Sequence, residues 1–437
     1  MTQTRSGPRF DDARRHVPQD VPAEPEEAAA PGRAPEPTLH DPCTEREQAG
    51  RRLPRGDDAP ELDVFLTGQV FMDMIFTGLP GLPPPGTELV TDGLGSAPGG
   101  VANIAVAMSR LGLRVGLAAP FGDDLFGAYL WRTLSEQEGV DLRRSRMIPG
   151  WPSPVTVSLA YDSDRSMVTY AKPLPLPPDE LVAVPPQAKT CFVDIGRPVP
   201  EWVTAMRRAG ARVFADLGWD ATGAWSAEVL DRLRYVDVFL PNAVEAMAYT
   251  RTGSPEEAAR ALAERVAVVV VKRGGDGALA IDSATGERAE TRALPVEALD
   301  ATGAGDVFAA GFVFGTLAGL PLDERLRFAN LCAGLSVRHR SGSLGAPCWG
   351  EIAAFGESGE VPEEILADYA FVVPFIPASA DDAVVRAEPT LRSHSGGRPL
   401  AVPSPTATRA ATATRAATTT RATRAATTTA TTRAETR

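Results

Sequence analysis

The chain has 437 residues, is 43% hydrophobic and carries a formal net charge of −12 at pH 7. That negative balance makes it a poor surface for nucleic acid or an anionic membrane, although it leaves room for a local basic pocket. The four cysteines form no Cys-x-x-Cys pair and the four histidines offer no metal cluster, so we expect a reducing, cytoplasmic location.

Both ends of the chain have the composition of disordered segments. Residues 1–60 are dense in Pro, Arg, Glu and Asp, and residues 378–437 end in a low-complexity Ala/Thr/Arg tail. Such segments bury too little apolar surface to offset the entropy of ordering. We therefore expect one sizeable α/β domain over residues 61–377. The N-terminus lacks the apolar core of a signal peptide, and the apolar run Val307–Leu322 is too short to span a bilayer.

The first predicted element is a strand, Val64–Thr67, broken at Gly68. In “GGVANIAVAMSRLG” the apolar residues recur at the spacing of one helix face, which predicts a helix. A strand from Val115 and a helix in “DLFGAYLWRTLSEQEG” follow. Two strands, Val155–Tyr161 and Ser166–Tyr170, flank a polar turn, and we interpret this hairpin as a lid over the edge of the main sheet.

From “TCFVDIG” to “AVVVVKRGG” strands and helices alternate, and “ALAIDS” adds another strand. Repeated βα units predict a mostly parallel sheet with helices on both faces, a three-layer α/β/α core. Three helices, Asp306–Leu317, Asp323–Arg338 and Pro362–Tyr369, close this core. Because open parallel sheets bind ligands at the carboxyl ends of their strands, the loops after the strands are the candidate sites.

The most unusual loop is “GAGD”, residues 303–306, which directly precedes a helical segment. A helix N-terminus presents unpaired amides that favour an anion, and Gly303 and Gly305 would let a phosphate approach the backbone closely. A carboxylate at Asp306 suits a base that takes a proton from an incoming hydroxyl. The alternative interpretation is an N-cap Asp after a flexible turn.

Three further regions carry polar residues at predicted strand ends. “NAVE” places Asn242 and Glu245 at a helix start, where a capping box is the alternative. “KRGGDG” has the glycines of a turn against phosphates, but it lacks the helix of a dinucleotide fingerprint and is not a P-loop. “FMDMIFTG” and “APGGVAN” offer Asp73 and Asn103 to sugar hydroxyls, with turn and cap residues as the alternative.

Taken together and in this order, the loops resemble the ribokinase-like (PfkB) family of sugar and nucleoside kinases from about Leu62 to Pro347. “DATGAGD” is similar to the C-terminal signature of that family, “GGVANIAVAMSRLG” to its N-terminal signature, and “NAVE” to its Asn-x-x-Glu motif. “KRGGDG” resembles its nucleotide turn, and “FANLCAGLSVRHRSGS” its last nucleotide-site helix. The resemblance implies a ribokinase-like fold with a small β lid from about 70–98 and 153–172, and the cofactors ATP and Mg²⁺.

The resemblance also implies a role for each matching position. Asp306 matches the general base, and Gly303 precedes an anion hole made of the amides of Ala304, Gly305 and Asp306. The positions that match nucleotide contacts are Asn242, Lys272, Gly274, Gly277 and Asn330, with Glu245 matching the residue that orders magnesium through water. The positions that match substrate-hydroxyl contacts are Asp73, Gly99, Gly100 and Asn103. Asp300 and Thr302 fall where many members hold a monovalent cation such as K⁺.

The sequence departs from the family pattern in two places. Only Val101 and Ala102 separate the Gly-Gly pair from Asn103, whereas the family usually has three residues there. Lys272 and Arg273 stand where Thr and a small or apolar residue are common, and they would add positive charge beside the phosphates.

We therefore expect an ATP-dependent sugar kinase that phosphorylates a hydroxymethyl group of a neutral sugar. A phosphorylated sugar needs cationic partners, and the nearby cations found in the sequence, Arg165 and Lys172, are explained by a solvated lid. The alternatives are a nucleoside kinase of the same fold, which an aromatic residue stacking from the lid would favour, and a non-catalytic sugar-binding regulator. We expect a small-molecule substrate, no nucleic-acid or membrane partner, and a homodimer formed through the lid.

Overall fold

The computed structural model describes residues 53, 59–91, 93–161, 164–174, 176, 178–218, 220, 222–357 and 362–377. The predicted disordered segments 1–60 and 378–437 lie outside these residues, apart from positions 53, 59 and 60. Leu53 is buried and packs in the main core, although the sequence assigned it to the N-terminal segment.

The strands and helices of the described residues are numbered in chain order. Strands β1 to β14 span Leu62–Thr67, Val70–Thr77, Gly93–Gly100, Val115–Ala118, Pro120–Gly122, Arg146–Ile148, Val155–Tyr161, Asp164–Tyr170, Ala188–Asp194, Arg212–Asp216, Val238–Phe239, Val268–Lys272, Ala278–Asp282 and Arg288–Thr291. Helices α1 to α11 span Val101–Arg110, Leu125–Arg132, Pro178–Leu181, Glu201–Arg208, Glu228–Asp231, Ala243–Thr250, Pro255–Ala263, Ala304–Leu317, Leu322–Ser336, Trp349–Glu357 and Glu363–Ala367.

The main sheet has eight strands in the order β14-β13-β12-β11-β10-β9-β1-β4. The pairs from β4 to β12 are parallel, whereas β13 and β14 join the edge in antiparallel pairs. The predicted mostly parallel sheet is therefore confirmed. The carboxyl ends of its parallel strands β1, β9, β10, β11 and β12 lie at one edge of the sheet, and the candidate active site described below lies at this edge.

Both faces of this sheet are covered by apolar side chains. Successive side chains of a strand point to opposite faces, so a strand that is apolar at every position contributes to both. Along β12, Val270 packs in one buried cluster while Val269 and Val271 pack in the other. The first cluster includes side chains of α1, α8 and α9, and the second includes side chains of α4, α6 and α7. This arrangement is the predicted three-layer α/β/α core.

A second sheet has four strands in the order β3-β2-β7-β8. We call these four strands the lid sheet. The predicted hairpin supplies β7 and β8, and β8 begins at Asp164 rather than Ser166; residues 162 and 163 of the predicted turn lie outside the described part of the chain. Asp73 lies in the middle of β2, within the range 70–98 expected for the lid, and not at the end of a strand, because the apolar alternation resumes after Gly68 and forms a new strand.

The C-terminal region contains a helix that the sequence did not predict, α10 at Trp349–Glu357. Its short glycine-containing sequence gives a weak periodic signal, and tertiary packing stabilises it. The Trp349 ring stacks against Phe328 at a centroid distance of 5.6 Å and meets Phe314 edge-on at 5.2 Å. Among the helices described, none combines the length and apolarity needed to cross a membrane.

Candidate active site

Helix α8 begins directly after Gly303, whose φ of 74° is in the left-handed region that glycine adopts most readily. The N-cap is this glycine and not Asp306, so no side chain caps the helix. Asp306 is the third residue of the first turn, and the early amides of the helix lack intrahelical acceptors. The amide of Ala304 donates to the Ala301 carbonyl at 3.2 Å, so it is partly engaged within the loop.

Asn103 reaches Asp306 from the other end of the chain. Its side-chain Nδ2 donates to Oδ2 of Asp306 at 3.0 Å, and Asn103 itself is 6% exposed. Two glycines make room for this amide, because a Cβ at Gly342 would lie 2.9 Å from Asn103 Oδ1 and one at Gly303 would lie 3.3 Å from its Cγ. Thus the shortened spacing after the Gly-Gly pair still brings Asn103 to the predicted base.

The Asp306 carboxyl is electrostatically perturbed. Burial raises its pKa to about 6, although the Lys272 ammonium and the hydrogen bond from Asn103 oppose that rise. A carboxylate with this pKa is largely ionised at pH 7 and is a stronger base than an ordinary aspartate. The site therefore holds a carboxylate suited to accepting a proton near neutral pH.

Asp73 lies close to the same site, on the lid sheet. It is buried, and burial together with the charge of Asp306 raises its pKa to about 7. Gly99 lies diagonally across the β2–β3 ladder, beside Ala97, the partner of Asp73, and a Cβ on Gly99 would fall 1.9 Å from Asp73 Oδ2. Gly100 has a φ of 64° and serves as the N-cap of α1. The two glycines therefore have different roles: the first makes room for a carboxylate and the second turns the chain.

Arg110, the last residue of α1, binds the backbone of residues 341–346, the segment that contains Gly342 and contacts Asn103. Its guanidinium pairs with Glu138 at 3.0 Å, and both side chains are buried. It also donates to the carbonyls of Leu344 and Ala346, at 2.8 Å each. Residues 341–346, which include Gly342, are thereby held against α1.

The predicted cation position lies just before α8. Asp300 is buried, and its Oδ1 accepts from the amide and the hydroxyl of Thr302, at 3.0 and 2.7 Å. Its other oxygen, Oδ2, is buried with no hydrogen-bond partner among the described residues. Among those residues no group of three or more His, Cys, Asp or Glu has the arrangement of a metal site.

Among the positions expected to contact a nucleotide, Asn242 and Glu245 form the capping box that the sequence offered as the alternative. Oδ1 of Asn242 accepts from the Glu245 amide at 2.9 Å, and Glu245 Oε2 accepts from the Asn242 amide at 2.9 Å. The hydrogen bonds of the cap lower the pKa of Glu245, but burial and then the charge of Asp216 outweigh them and raise it to about 7. Both residues start α6 at the same edge of the sheet as Lys272.

Lys272 ends β12 and pairs with Asp216, whose Oδ2 lies 2.5 Å from its Nζ. Arg273 turns elsewhere and pairs with Glu256 and Glu290, at 3.3 and 2.8 Å. The expectation that Arg273 adds charge beside phosphates is not supported by these contacts, because both of its partners are exposed carboxylates outside the site.

Two of the other positions expected to contact a nucleotide, Gly277 and Asn330, meet at Thr291 and Arg292. A Cβ at Gly277 would lie 2.0 Å from the Thr291 carbonyl, and the φ of Gly277 is 87°. The Asn330 amide donates to Thr291 Oγ1 at 2.6 Å and to the Arg292 carbonyl at 3.1 Å. Gly274 has a φ of 59° and open space where a Cβ would stand.

A cavity of about 430 Å³ lies between the lid sheet and the carboxyl edge of the main sheet. Asp306 lines it, together with Phe71, Asp194, Arg197 and Asp216. The sequence interpretation missed the last three. Asp194 and Asp216 each end a buried strand and are followed by x-Gly, in “VDIG” and “ADLG”, and that repeated pattern was the available signal. Arg197 is a cation that lines the cavity, and it adds to the two cations that the sequence indicated, Arg165 and Lys172.

The sequence of this protein matches the model of the pfkB family carbohydrate kinase over residues 64–348. It is 26% identical over 329 residues to the 5-dehydro-2-deoxygluconokinase of Shouchella clausii, covering 70% of this chain and 98% of that one. It is 27% identical over 282 residues to the cytidine kinase of Thermococcus kodakarensis, covering 61% and 92%.

Solved structures show the same fold. A putative ribokinase II from E. coli in complex with ATP and Mg²⁺ superimposes with a TM-score of 0.57 at 21% identity, covering 68% of this chain and 99% of that one. The adenosine kinase of Sinorhizobium meliloti gives a TM-score of 0.56 at 23% identity, covering 68% and 100%.

Proposed function

The chain belongs to the pfkB family of carbohydrate kinases, and on that premise we propose that it transfers the terminal phosphoryl group of ATP, with Mg²⁺, to a hydroxymethyl group of a neutral sugar. The observation that carries this proposal is the meeting of three groups at the start of α8. Asp306, the Asn103 amide and the Lys272 ammonium all stand at one helix N-terminus.

The chemistry follows from what phosphoryl transfer requires, which is positioning and charge stabilisation more than covalent catalysis. Asp306 accepts the proton of the acceptor hydroxyl, and its pKa of about 6 keeps it ionised for that purpose. The amides of Gly305 and Asp306, and that of Ala304 once freed from Ala301, stabilise the charge on the phosphoryl oxygens. Bound magnesium–ATP supplies the phosphoryl group and a second source of positive charge.

The residues on the nucleotide side fit such a ligand. Gly274 leaves open space beside the backbone, and Lys272 offers a cation at the same edge. The buried Glu245 carboxyl, at the start of α6, is the group we assign to magnesium through water. We assign the remaining contacts to the nucleotide to Asn242, Gly277 and Asn330.

Charge in the cavity supports a neutral acceptor. The cavity is lined by three carboxylates, those of Asp194, Asp216 and Asp306, and by one cation, Arg197. The ammonium of Lys272 is already paired with Asp216. An anionic acceptor would meet more carboxylates than free cations there, and like charges brought together at low dielectric are costly. We assign the hydroxyl contacts of this acceptor to Asp73 and Asn103, with Gly99 and Gly100 as close backbone.

A nucleoside is the second candidate acceptor, and one observation favours it. Phe71, on strand β2 of the lid sheet, lines the cavity, and an aromatic face there is suited to stacking against a base. A screen of ATP consumption against neutral sugars, phosphosugars and nucleosides decides between the acceptors. Preference for a phosphosugar over every neutral candidate would contradict the neutral reading, and no acceptor-dependent turnover would favour a sugar-binding regulator.

A monovalent cation such as K⁺ belongs to the proposal as well. The unpartnered Oδ2 of Asp300 is a buried anionic oxygen, and a cation is the ligand that would compensate it. Turnover in potassium buffer is expected to exceed turnover in a large organic cation such as tetramethylammonium, and Asp300→Asn is expected to remove the difference. Equal rates in both buffers would contradict this assignment.

We also propose that residues 61–377 form the catalytic domain, that the lid sheet closes over the acceptor, and that two copies pair through it. Its outer strand β8 carries Met167, Val168 and Tyr170, which are 56%, 70% and 52% exposed. An uncovered strand with apolar side chains is suited to pairing with a second copy. Light scattering is expected to give a dimer, and Val168→Lys a monomer; a wild-type monomer would contradict the pairing.

A further inference from the structure

Lys272 is connected to three parts of the site. Its ammonium lies 2.5 Å from Asp216 Oδ2, and it stands 3.5 Å from the point where a Cβ on Gly305 would lie. Its own amide donates to the Pro241 carbonyl at 2.9 Å, directly before Asn242. The lysine thus reaches from the nucleotide side to the first turn of α8.

The Asp216 carboxylate is fixed by two contacts, one to the backbone and one to Lys272. It ends β10 in the interior of the main sheet, and its Oδ1 accepts from the Leu217 amide at 2.8 Å. The backbone therefore fixes one carboxylate oxygen, and the other faces Lys272. Both side chains are only 13% exposed, so water competes weakly for the ion pair.

We propose that Asp216 is a positioning residue that holds the Lys272 ammonium beside Gly305, so that a positive charge already stands at the start of α8 when the phosphoryl group is transferred. This inference rests on the proposed kinase function. A charge that is oriented beforehand requires no reorganisation during the reaction, which is the main reason that fixed electrostatic groups accelerate it. A free lysine stem, by contrast, has several rotatable bonds and has to be ordered at that moment.

Asp216 also keeps Lys272 away from the base. The carboxyls that face this ammonium are Asp216, Glu245 and Asp306. If Asp216 did not hold it, the carboxyl on the catalytic side that attracts this ammonium would be Asp306. A lysine paired with Asp306 would occupy the carboxylate that has to accept the proton. The placement of Asp216 therefore separates two functions, charge stabilisation by Lys272 and proton acceptance by Asp306.

The geometry is testable without turnover because the chain has only three lysines, Lys172, Lys189 and Lys272. Enzyme labelled with ¹³C at lysine Cε gives three signals, and Lys272→Arg identifies the one of interest. We expect Asp216→Asn to shift and narrow the Lys272 signal in the nucleotide-free enzyme, because the lysine side chain is then released from its ion pair and rotates more freely. Lys189, paired with Asp63 at 3.0 Å, is the internal control and should not change. Asp194→Asn, the neighbouring strand-end carboxylate, should leave the Lys272 signal in place. An unchanged Lys272 signal in Asp216→Asn would overturn the proposal.

Turnover then tests the positioning role through a double-mutant cycle. Asp216→Asn and Lys272→Met are each expected to lower kcat by about 10²-fold, the loss typical of one electrostatic donor. In the Lys272→Met background, Asp216→Asn should lower kcat by less than about threefold, because its effect acts through the lysine. Independent, multiplying losses would overturn the proposal.

One further variant separates this inference from instability, and the wild-type enzyme separates it from failure of the proposed function. Asp216→Glu keeps the charge, and it should retain the melting temperature while giving an intermediate kcat. A wild-type enzyme without any ATP-dependent turnover would refute the kinase function alone, since the lysine signals still report on the ion pair. An active wild type whose Asp216→Asn variant keeps full kcat would refute the positioning role alone.

Discussion

The side-chain amide of Asn103 donates a 3.0 Å hydrogen bond to Asp306, which lies 203 positions further along the chain. Asn103 is the third residue of α1, and Asp306 is the third residue of α8. The first turns of two helices therefore meet, and each begins after a glycine of positive φ, Gly100 and Gly303. The pair joins the proposed acceptor contacts to the proposed base, so a change in either residue should appear in the properties of the other.

Asp306→Asn is expected to lower kcat by about 10²- to 10⁴-fold, the usual cost of losing a general base. The amide keeps the size of the carboxylate, so nucleotide affinity and melting temperature should stay close to those of the wild type. Steady-state kinetics and calorimetric titration with nucleotide check both expectations. Asp231→Asn, an exposed carboxylate on α5 outside the site, serves as the matched control. Retention of more than about a tenth of wild-type kcat would refute the base assignment.

The activity of the wild-type enzyme should fall as the pH drops below about 6, because protonation of Asp306 removes the base. The hydrogen bond from Asn103 lowers the pKa of this carboxyl, so Asn103→Ala should move the acid limb of kcat/KM to higher pH. Asn330→Ala is the comparison variant: it should weaken ATP binding and leave the limb in place. A limb that stays fixed, or moves to lower pH, in Asn103→Ala would contradict the role of the hydrogen bond.

The raised pKa of Asp73 makes a prediction about stability. Its ordinary pKa is 3.8 and its folded value is about 7, so the folded chain binds more protons than the unfolded chain between these values. The free energy of unfolding therefore falls as the pH rises through that window. Asp73→Asn should remove part of this fall, by about 1–4 kcal/mol between pH 4 and pH 8. Denaturant titrations at the two pH values measure it.

Asp124 provides a control of opposite sign for that experiment. Burial alone would raise its pKa, but hydrogen bonds from Ser153 and Gly127 outweigh burial and lower it. Its contribution to stability is present above the unfolded pKa of 3.8 and is lost as the pH falls below it. Asp124→Asn should therefore cost more stability at pH 8 than at pH 3. The same sign of change in both variants would show that the pH dependence has another origin.

Gly99→Ala should damage the acceptor side of the site selectively. Its methyl group would fall 1.9 Å from Asp73 Oδ2, so the carboxylate has to move. A displacement of this size is expected to lower kcat/KM for the acceptor by about 10²-fold while KM for ATP stays nearly constant. Gly356→Ala, where no atom lies within 4 Å of the new Cβ, is the control and should leave the kinetics unchanged. A uniform loss for both substrates would indicate general misfolding of the variant instead.

The sequence predicted most of the main sheet because strands such as β1 and β12 are apolar runs between clear helical segments. It did not predict β14, whose sequence “RAET” is polar and lies at the edge of the sheet. The lid sheet was harder to predict from the sequence. Strand β2 follows β1 after Gly68 and Gln69 alone, so the two strands look like one interrupted strand, and β3 is “GLGSAPGG”, a run with little strand propensity. Its antiparallel pairing with β2, and not its own composition, makes it a strand.

The site was predictable where a local motif carried it. The loop before α8 and the residues of “NAVE” are recognisable in a few letters, and the structure places them at one edge of the sheet. Asp216 was harder to recognise, because the Asp-x-Gly pattern that it shares with Asp194 is short and belongs to none of the motifs that the sequence analysis identified. Its partner, Lys272, lies 56 positions away and is brought beside it only by the order of the strands.

The buried Arg110 limits how ligands can enter this protein. Moving residues 341–346 away from α1 would break its hydrogen bonds to two carbonyls and expose a guanidinium–carboxylate pair that is closed to water. That wall of the site is therefore fixed, whereas the opposite wall is a separate sheet with no strand shared with the core. With the lid sheet closing as proposed, ligands enter and leave on its side, and the rate of product release should depend on the stiffness of the β1–β2 connection at Gly68 and Gln69.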